Sequence, residues 1–249
     1  MTGRTAEDIV DAASLFRALQ RHKTDDLDHL TTLLADPGQA EHPVLLDLCA
    51  GIGRTVPLAL RHGWDVVCVD SDGAALATAA AIDPARVFTR LIDLASGTMP
   101  EPPTVDAVIC AHHAANEVGS ITPLFELASR ALVSGGWFYL ELLTGTYPRP
   151  FELEYVLRIM STDEGGWTLD TVMVPLTGDQ HELTLVASHH DPTGRRVNQI
   201  QYTLTRTVFP AATIARTARE FGFHLEDRVG NRHVFRRART VPQQGGEEV

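Results

Sequence analysis

The stretch "LLDLCAGIGR", Leu45 to Arg54, runs from an apolar segment into a turn that carries Gly51 and Gly53. An acid, Asp47, stands four residues before the first of these glycines. The apolar part, "VLLDLCA", is short enough for a strand buried on both faces. Beyond the turn, "RTVPLALRHG" suits a helix with Pro57 in its first turn and Gly63 past its end. A strand, a glycine turn and a helix in that order make a ligand-binding unit, and the acid decides which ligand.

The same rhythm continues downstream. "WDVVCVD" is a second strand ending in Asp70, and "GAALATAAAID" a helix stopped by Asp83-Pro84. "RVFTRLID" is a third strand ending in Asp93, and "VDAVICA" a fourth. "TPLFELASRALVSGG" reads as a helix stopped by Gly135-Gly136, and "WFYLELL" as a fifth strand. Near-continuous apolar strands alternating with helices imply a parallel sheet covered on both faces. Ligands in such sheets bind outside the carboxyl ends of the strands. Asp47, Asp70, Asp93 and His112 fall at or near four such ends.

Around this core the pattern changes. Ile9, Ala12, Leu15, Leu19 and then Leu27, Leu30, Leu33 recur at helical spacing, so residues 6–35 read as one or two amphipathic helices. After Leu143, "FELEYVLRIM" reads as a helix. "WTLDTVMVPL", "HELTLVASHH" and "VNQIQYTLTRTVF" read as three antiparallel strands joined by turns. "PAATIARTAREFG" is a helix, and "FHLEDRVG" and "HVFRRA" close the fold as strands. The expected organisation is a helical cap over 1–40, a binding core over 41–145 and a helix with an antiparallel β insertion over 146–208, serving substrate or dimer contacts. The C-terminal helix and last two core strands follow over 209–238, then a disordered tail over 239–249.

Composition narrows the function. The chain has 249 residues and a net charge of −11, which argues against a nucleic-acid surface, because phosphate contacts need clustered Lys and Arg. The basic stretch Arg228 to Arg239 reads as a solvated terminal strand. No run approaches 18 apolar residues, and "MTGRTAEDIV" lacks a basic-then-apolar leader pattern, so a cytoplasmic protein without a membrane partner is expected. Cys49, Cys68 and Cys110 lack metal-ligand spacing and read as reduced core thiols. His189, His190 and Asp191 adjoin a "DPTG" turn and read as solvated turn residues, so no metal is expected.

A dinucleotide turn wants G-x-G-x-x-G facing a pyrophosphate, but here the third position is Val56, and Asp47 would repel a pyrophosphate. A carboxylate there suits the α-amino group of an amino acid, or else caps the first helical turn. Asp70, 17 residues after Gly53, can accept hydrogen bonds from two ribose hydroxyls, or else cap a helix. Asp93 can accept from an adenine amine, with the Leu94 backbone as the alternative. An amino-acid head, a ribose and an adenine in that order spell S-adenosylmethionine.

"VLLDLCAGIGR", "VVCVD", "RLIDL", "VDAVIC" and "LVSGGWFYLELL" together resemble the successive motifs of the class I S-adenosylmethionine-dependent methyltransferases, over about residues 44–143. "ATIARTAREFGFHLEDRVG" resembles the last helix and sixth strand of that family, and the inserted strands resemble the extra antiparallel layer of its small-molecule N- and O-methyltransferases. The resemblance implies an α/β, doubly wound, Rossmann-like seven-stranded sheet in the order 3-2-1-4-5-7-6, with strand seven antiparallel. Cys49 and Ala50 stand where the family commonly has glycine; both are small enough for close backbone approach. The cofactor residues it implies are Asp47, Cys49, Ala50, Gly51, Gly53, Asp70, Ser71, Asp93, Leu94, Ala111 and His112.

For the acceptor, "CAHHAANEVGS" follows the fourth strand, whose end faces the sulfonium in this family. His113, Asn116 and Glu117 are its catalytic candidates, with His113 as a base; the alternative is that the histidines only line the cofactor with backbone. Glu141 and Tyr147 can face the acceptor. Arg206 either binds an acceptor carboxylate or phosphate or pairs with an acid. The expected activity is methyl transfer to a nitrogen or oxygen of a small molecule. The Ala- and Arg-rich style of the chain points to a bacterial secondary metabolite. A possible homodimer is in keeping with the inserted layer. An enzyme that transfers or cyclises the aminocarboxypropyl part of the same cofactor, releasing methylthioadenosine, is the alternative.

Overall fold

The computed structural model describes residues 27–37, 40–96, 101–145, 151–152, 159–161 and 165–238. A first helix, α1 (Leu27–Leu34), leads into β1 (Val44–Leu48), α2 (Val56–Arg61), β2 (Asp65–Asp70), α3 (Gly73–Ala80) and β3 (Val87–Leu91). A short 3-10 turn, Leu94–Ser96, precedes β4 (Val105–Cys110); a second, Ala114–Asn116, precedes α4 (Thr122–Ala131) and β5 (Leu132–Glu141). An inserted layer follows: β6 (Phe151–Glu152), β7 (Ile159–Ser161), β8 (Gly165–Pro175), β9 (Gln180–His190) and β10 (Arg196–Thr207). The chain returns to the core with α5 (Ala211–Glu220), β11 (Phe223–Val229) and β12 (Arg232–Arg237).

The main sheet has seven strands in the order β3-β2-β1-β4-β5-β12-β11. The first five are parallel, and β12 runs antiparallel to both β5 and β11. Counted within the core alone, this is the order 3-2-1-4-5-7-6 that the resemblance implies.

Because side chains alternate across a strand, each parallel strand feeds two cores. Leu46, Leu48, Val67, Val69, Val108, Cys110, Phe138 and Leu140 face one side, under α4 and α5. Leu45, Val66, Cys68, Ala107, Ile109, Trp137 and Tyr139 face the other, under α1, α2 and α3. Phe125 of α4 meets Phe138, Phe223 and Phe235 edge-on at 5.1–5.7 Å between ring centroids. On the opposite face Trp64 lies edge-on to Trp137 and donates its indole N–H to the Leu34 carbonyl at 2.8 Å, fastening α1 to the sheet.

Two local expectations are corrected. Gly135 and Gly136 do not end a helix. The helix ends at Ala131, and the glycines lie inside β5, where its pairing with β4 shifts register. A Cβ on Gly136 would stand 2.8 Å from the Asp106 carbonyl oxygen, so the close approach of β4 requires glycine there. The segment 151–160, expected to be helical, begins with Phe151–Glu152 and ends with Ile159–Ser161, both short strands antiparallel to β8. Its β-branched and aromatic ends gain a ladder against β8 that a helix would forgo. The helices expected before Leu27, Tyr147, and the tail from 239 lie outside the described residues.

The inserted strands form a second antiparallel sheet, ordered β10-β9-β8-β6 with β7 also on β8. Its two roots lie side by side: Thr144, where the chain leaves the core, bridges Phe209, where it comes back. No helix among the described residues is long and apolar enough to cross a membrane.

Candidate functional site

The carboxyl ends of β1, β2, β3 and β4 open onto one cavity of about 520 Å³. Its shape begins with the glycine turn. Cys49, Gly51 and Gly53 all take left-handed backbone angles, with φ of 56°, 55° and 74°. The turn is tied to β2 by the Ala50 amide on the Val69 carbonyl at 3.0 Å. At Gly53 a Cβ would meet Ala79 Cβ at 2.8 Å, so this glycine lets the turn pack down on α3. Gly51 instead presents its amide to Asp70, whose Oδ2 accepts it at 2.7 Å.

Asp70 closes β2 and stands half-buried on the cavity wall. Its second oxygen accepts the Asp72 amide at 2.9 Å, and each carboxylate oxygen keeps a further lone pair for a ligand. Asp72 serves the helix instead: its Oδ1 accepts the amides of Ala74 and Ala75 and caps α3. Asp93 lies two residues past the end of β3, on the wall, with its Oδ1 on the Ala95 amide at 2.9 Å. Ser71, Leu94, Ala111 and His112 complete the part of the wall foreseen from the sequence.

Asp47, Ala50 and Gly53 are absent from that wall. Asp47 is buried and accepts a hydrogen bond from the Thr55 hydroxyl, at the start of α2. Burial pushes its carboxyl up to about 7, although Thr55 and Arg54 favour the ionised form. The three cysteines are free, and the Cys110 thiol is held well above its ordinary range by its hydrogen bond with Cys49 and by burial.

After β4 the backbone makes a strained turn. His112 and His113 are both left-handed at φ 59°, a conformation side chains with a Cβ rarely adopt. Glu141, buried at the end of β5, holds this turn: its Oε2 accepts the His112 amide at 2.7 Å, and its Oε1 lies 3.8 Å from His113 Nε2. The turn sends His112 to the cavity and His113 behind it, so His113 and Glu141 are not on the wall.

Asn116 is also behind the wall and fully buried. Its amide donates to the carbonyls of Leu143 at 3.2 Å and Thr207 at 2.6 Å, and its oxygen accepts the Leu143 amide at 2.8 Å. These bonds staple both roots of the inserted layer to the loop after β4. That commitment corrects the expectation of Asn116 as a catalytic group: a side chain whose two N–H groups both serve backbone carbonyls has no donor left for a substrate.

Of the three catalytic candidates only Glu117 reaches the cavity. Arg206, buried on β10, donates from Nη2 to Glu117 Oε1 at 2.6 Å and is itself not on the wall. Of the two readings left open for Arg206, it pairs with an acid. The sequence reading missed Tyr202, the cavity residue contributed by the inserted sheet, and Ala114 and Val118, which flank Glu117. A signal for Tyr202 was present: it lies four residues before Arg206, on the same face of a strand.

The sequence matches the methyltransferase domain family over residues 46–140, from the first strand through the fifth. That span contains the glycine turn, the three strand-end acids and the loop that carries Glu117. Residues 46–140 are a methyltransferase domain. Its cofactor is S-adenosylmethionine.

Solved structures share this fold over most of the chain. The S-adenosylmethionine-bound amino pentose methyltransferase CalS10 of Micromonospora echinaspora, involved in calicheamicin biosynthesis, is 17% identical. It matches 90% of this chain and 97% of its own with a TM-score of 0.71. DesVI of Streptomyces venezuelae is 15% identical over 93% and 99%, with a TM-score of 0.73. The sugar N-methyltransferase KedS8 of a Streptoalloteichus species is 16% identical over 96% and 97%, with a TM-score of 0.69. At such identities the likeness is one of fold. No match was found among curated protein sequences.

The residues of the methyltransferase fit this cofactor. Asp70 has unused acceptor capacity that a ribose diol would fill, Asp93 and the buried Leu94 would hold the nucleobase, and Cys49 and Gly51 would border the amino-acid end. Among the described residues no group of His, Cys, Asp or Glu is arranged to hold a metal ion.

Proposed function

We propose that the enzyme transfers a methyl group to a nitrogen or oxygen of a small molecule, a bacterial secondary metabolite, in keeping with CalS10, an amino pentose methyltransferase of calicheamicin biosynthesis, and KedS8, a sugar N-methyltransferase. One observation carries this reading: Tyr202 of the inserted sheet and Glu117 of the core line the same cavity of about 520 Å³. A site bordered by two layers favours a compact acceptor over a polymer, and among the described residues no Lys or Arg lines it to attract nucleic-acid phosphates.

Bound in the cavity, S-adenosylmethionine supplies a methyl group activated by its sulfonium. The protein's part is placement. Asp70 fixes the nucleoside, the glycine turn and the His112 backbone fix the depth, and Tyr202 and Glu117 orient the acceptor. Holding two reactants in line supplies most of the acceleration such a displacement needs.

S-adenosylhomocysteine at 100 times its dissociation constant should stabilise the fold by about 2.7 kcal/mol. Differential scanning fluorimetry reads this as a clear rise in Tm; no rise in ligand-free protein would remove the cavity as the cofactor site. The acceptor is then sought by mass spectrometry, with methyl-deuterated cofactor and a panel of amino sugars, phenols and carboxylates. Gain of one labelled methyl with release of S-adenosylhomocysteine is expected. Release of methylthioadenosine would instead identify aminocarboxypropyl transfer.

A further inference from the structure

Among the described residues four carboxylates stand on the cavity wall: Asp70, Asp72, Asp93 and Glu117. Three of them hold backbone amides in place: Asp70 those of Gly51 and Asp72, Asp72 those of Ala74 and Ala75, and Asp93 that of Ala95. Glu117 holds none. Its Oε1 takes Arg206 Nη2 at 2.6 Å, while Oε2 accepts no hydrogen bond from the described residues.

The two partners differ sharply in exposure. The Arg206 side chain is 6% exposed and the Glu117 side chain 33%. The guanidinium is therefore sealed behind the carboxylate, and its Nε–H, also buried, has no acceptor among the described residues. A carboxylate or phosphate entering the cavity would meet Glu117 before Arg206 and be repelled. A cation would meet an oriented, unoccupied oxygen, with the Tyr202 ring on the same wall.

We propose that Glu117 is the anchor for an acceptor amine that arrives as an ammonium ion and gives one proton to the Glu117 carboxylate before its nitrogen lone pair attacks the methyl, and that Arg206 is the positioning residue that fixes Glu117 for it. This rests on the small-molecule reading above and narrows it from nitrogen or oxygen to nitrogen. The strand order supports the placement. The wall passes from β3 to β2, β1 and β4, so Asp93 and Asp70 occupy the nucleoside end, and Glu117, following β4, lies at the other. Asn116 beside it fastens both roots of the inserted layer, so Arg206 on β10 meets Glu117 at a fixed point rather than across a hinge.

The test needs no knowledge of the acceptor. Sinefungin differs from S-adenosylhomocysteine in carrying an ammonium group where the transferable methyl would be. Calorimetric titration of both ligands into the full chain gives the ratio of their affinities. In Glu117→Gln that ratio should fall by about tenfold, through weaker sinefungin binding, with S-adenosylhomocysteine held within about threefold of wild type. Arg206→Gln should lower the ratio too, and Arg206→Lys should recover part of it; Glu117→Gln, which keeps size and shape, decides the matter if an Arg206 variant fails to fold. If Glu117→Gln weakens both ligands equally, or neither, the anchor is overturned and the cofactor site stands. If wild type binds neither ligand, the cofactor-site reading falls and the anchor falls with it.

Discussion

Asp70 and Asp72 are near neighbours on the cavity wall with separable roles. Asp70→Ala removes the acceptor of the Gly51 amide and the ribose partner at once, and should cost roughly 1.5–3 kcal/mol of cofactor binding, about tenfold or more. Asp72→Ala should leave affinity within about twofold and lower stability by about 1 kcal/mol, the worth of a helix cap. Titration calorimetry and urea unfolding on the two variants separate these outcomes; equal losses of affinity would contradict the assignment. Asp47 makes a pH prediction. Its folded carboxyl titrates at about 7, against about 3.9 in the unfolded chain, so between those values the native state keeps a proton that the unfolded state has released. The stability this confers is full below about pH 4 and is lost as pH rises through about 7. In Asp47→Asn, which cannot ionise, that slope should vanish, so the stability difference between variant and wild type should change by up to about 4 kcal/mol between pH 4 and 8. Unfolding midpoints across this range check it; parallel pH profiles would place the Asp47 proton elsewhere.

Among elements, the loop after β4 does the most with the least chain. Its Asn116 closes three hydrogen bonds onto Leu143 and Thr207, and removing the side chain strands buried backbone groups at both roots of the inserted layer. Asn116→Ala should therefore destabilise the protein by about 2–4 kcal/mol, with early loss of hydrogen-exchange protection in β8 to β10. Uniform loss across the molecule would mean that the staple is not local. This loop also marks where reading the sequence stopped being sufficient. The alternation of apolar strands and helices was legible because burial on both faces writes itself as continuous hydrophobic runs. The strand-end acids were legible because strand ends are fixed by those runs. Side-chain direction within the loop was not, because two successive left-handed residues, His112 and His113, reverse the facing that ordinary backbone would give. So His113 and Asn116 turn inward, while Glu117 faces the cavity. Gly135 and Gly136 misled for a related reason: a glycine pair signals an unusual backbone, but only the close approach of Asp106 shows that it is a shift of register inside a strand. The segment 151–160 carries a helical spacing of apolar residues, and the ladder offered by β8 outweighs it at both ends.

At the scale of the whole molecule, the parallel sheet was legible in the apolar runs and its order came from the family resemblance, whereas the meeting of two layers at one cavity was not legible, since it depends on how the inserted sheet docks. Among the described residues that meeting puts four carboxylates and no Lys or Arg on the wall, in a chain of net charge −11. The reaction has a sense of direction in such a field. S-adenosylmethionine enters with a sulfonium and an ammonium against one carboxylate, a net positive ion; S-adenosylhomocysteine leaves with no net charge. The wall should therefore favour the cationic ligand over the neutral one. Salt exposes this bias, because screening weakens the attraction of the wall for the cation while leaving the neutral ligand nearly untouched. Raising ionic strength from about 50 to about 500 mM, across which the screening length shortens severalfold, should erode the affinity for S-adenosylmethionine and leave that for S-adenosylhomocysteine almost constant. Inhibition by S-adenosylhomocysteine should therefore deepen as salt rises, which initial rates at the two ionic strengths would read.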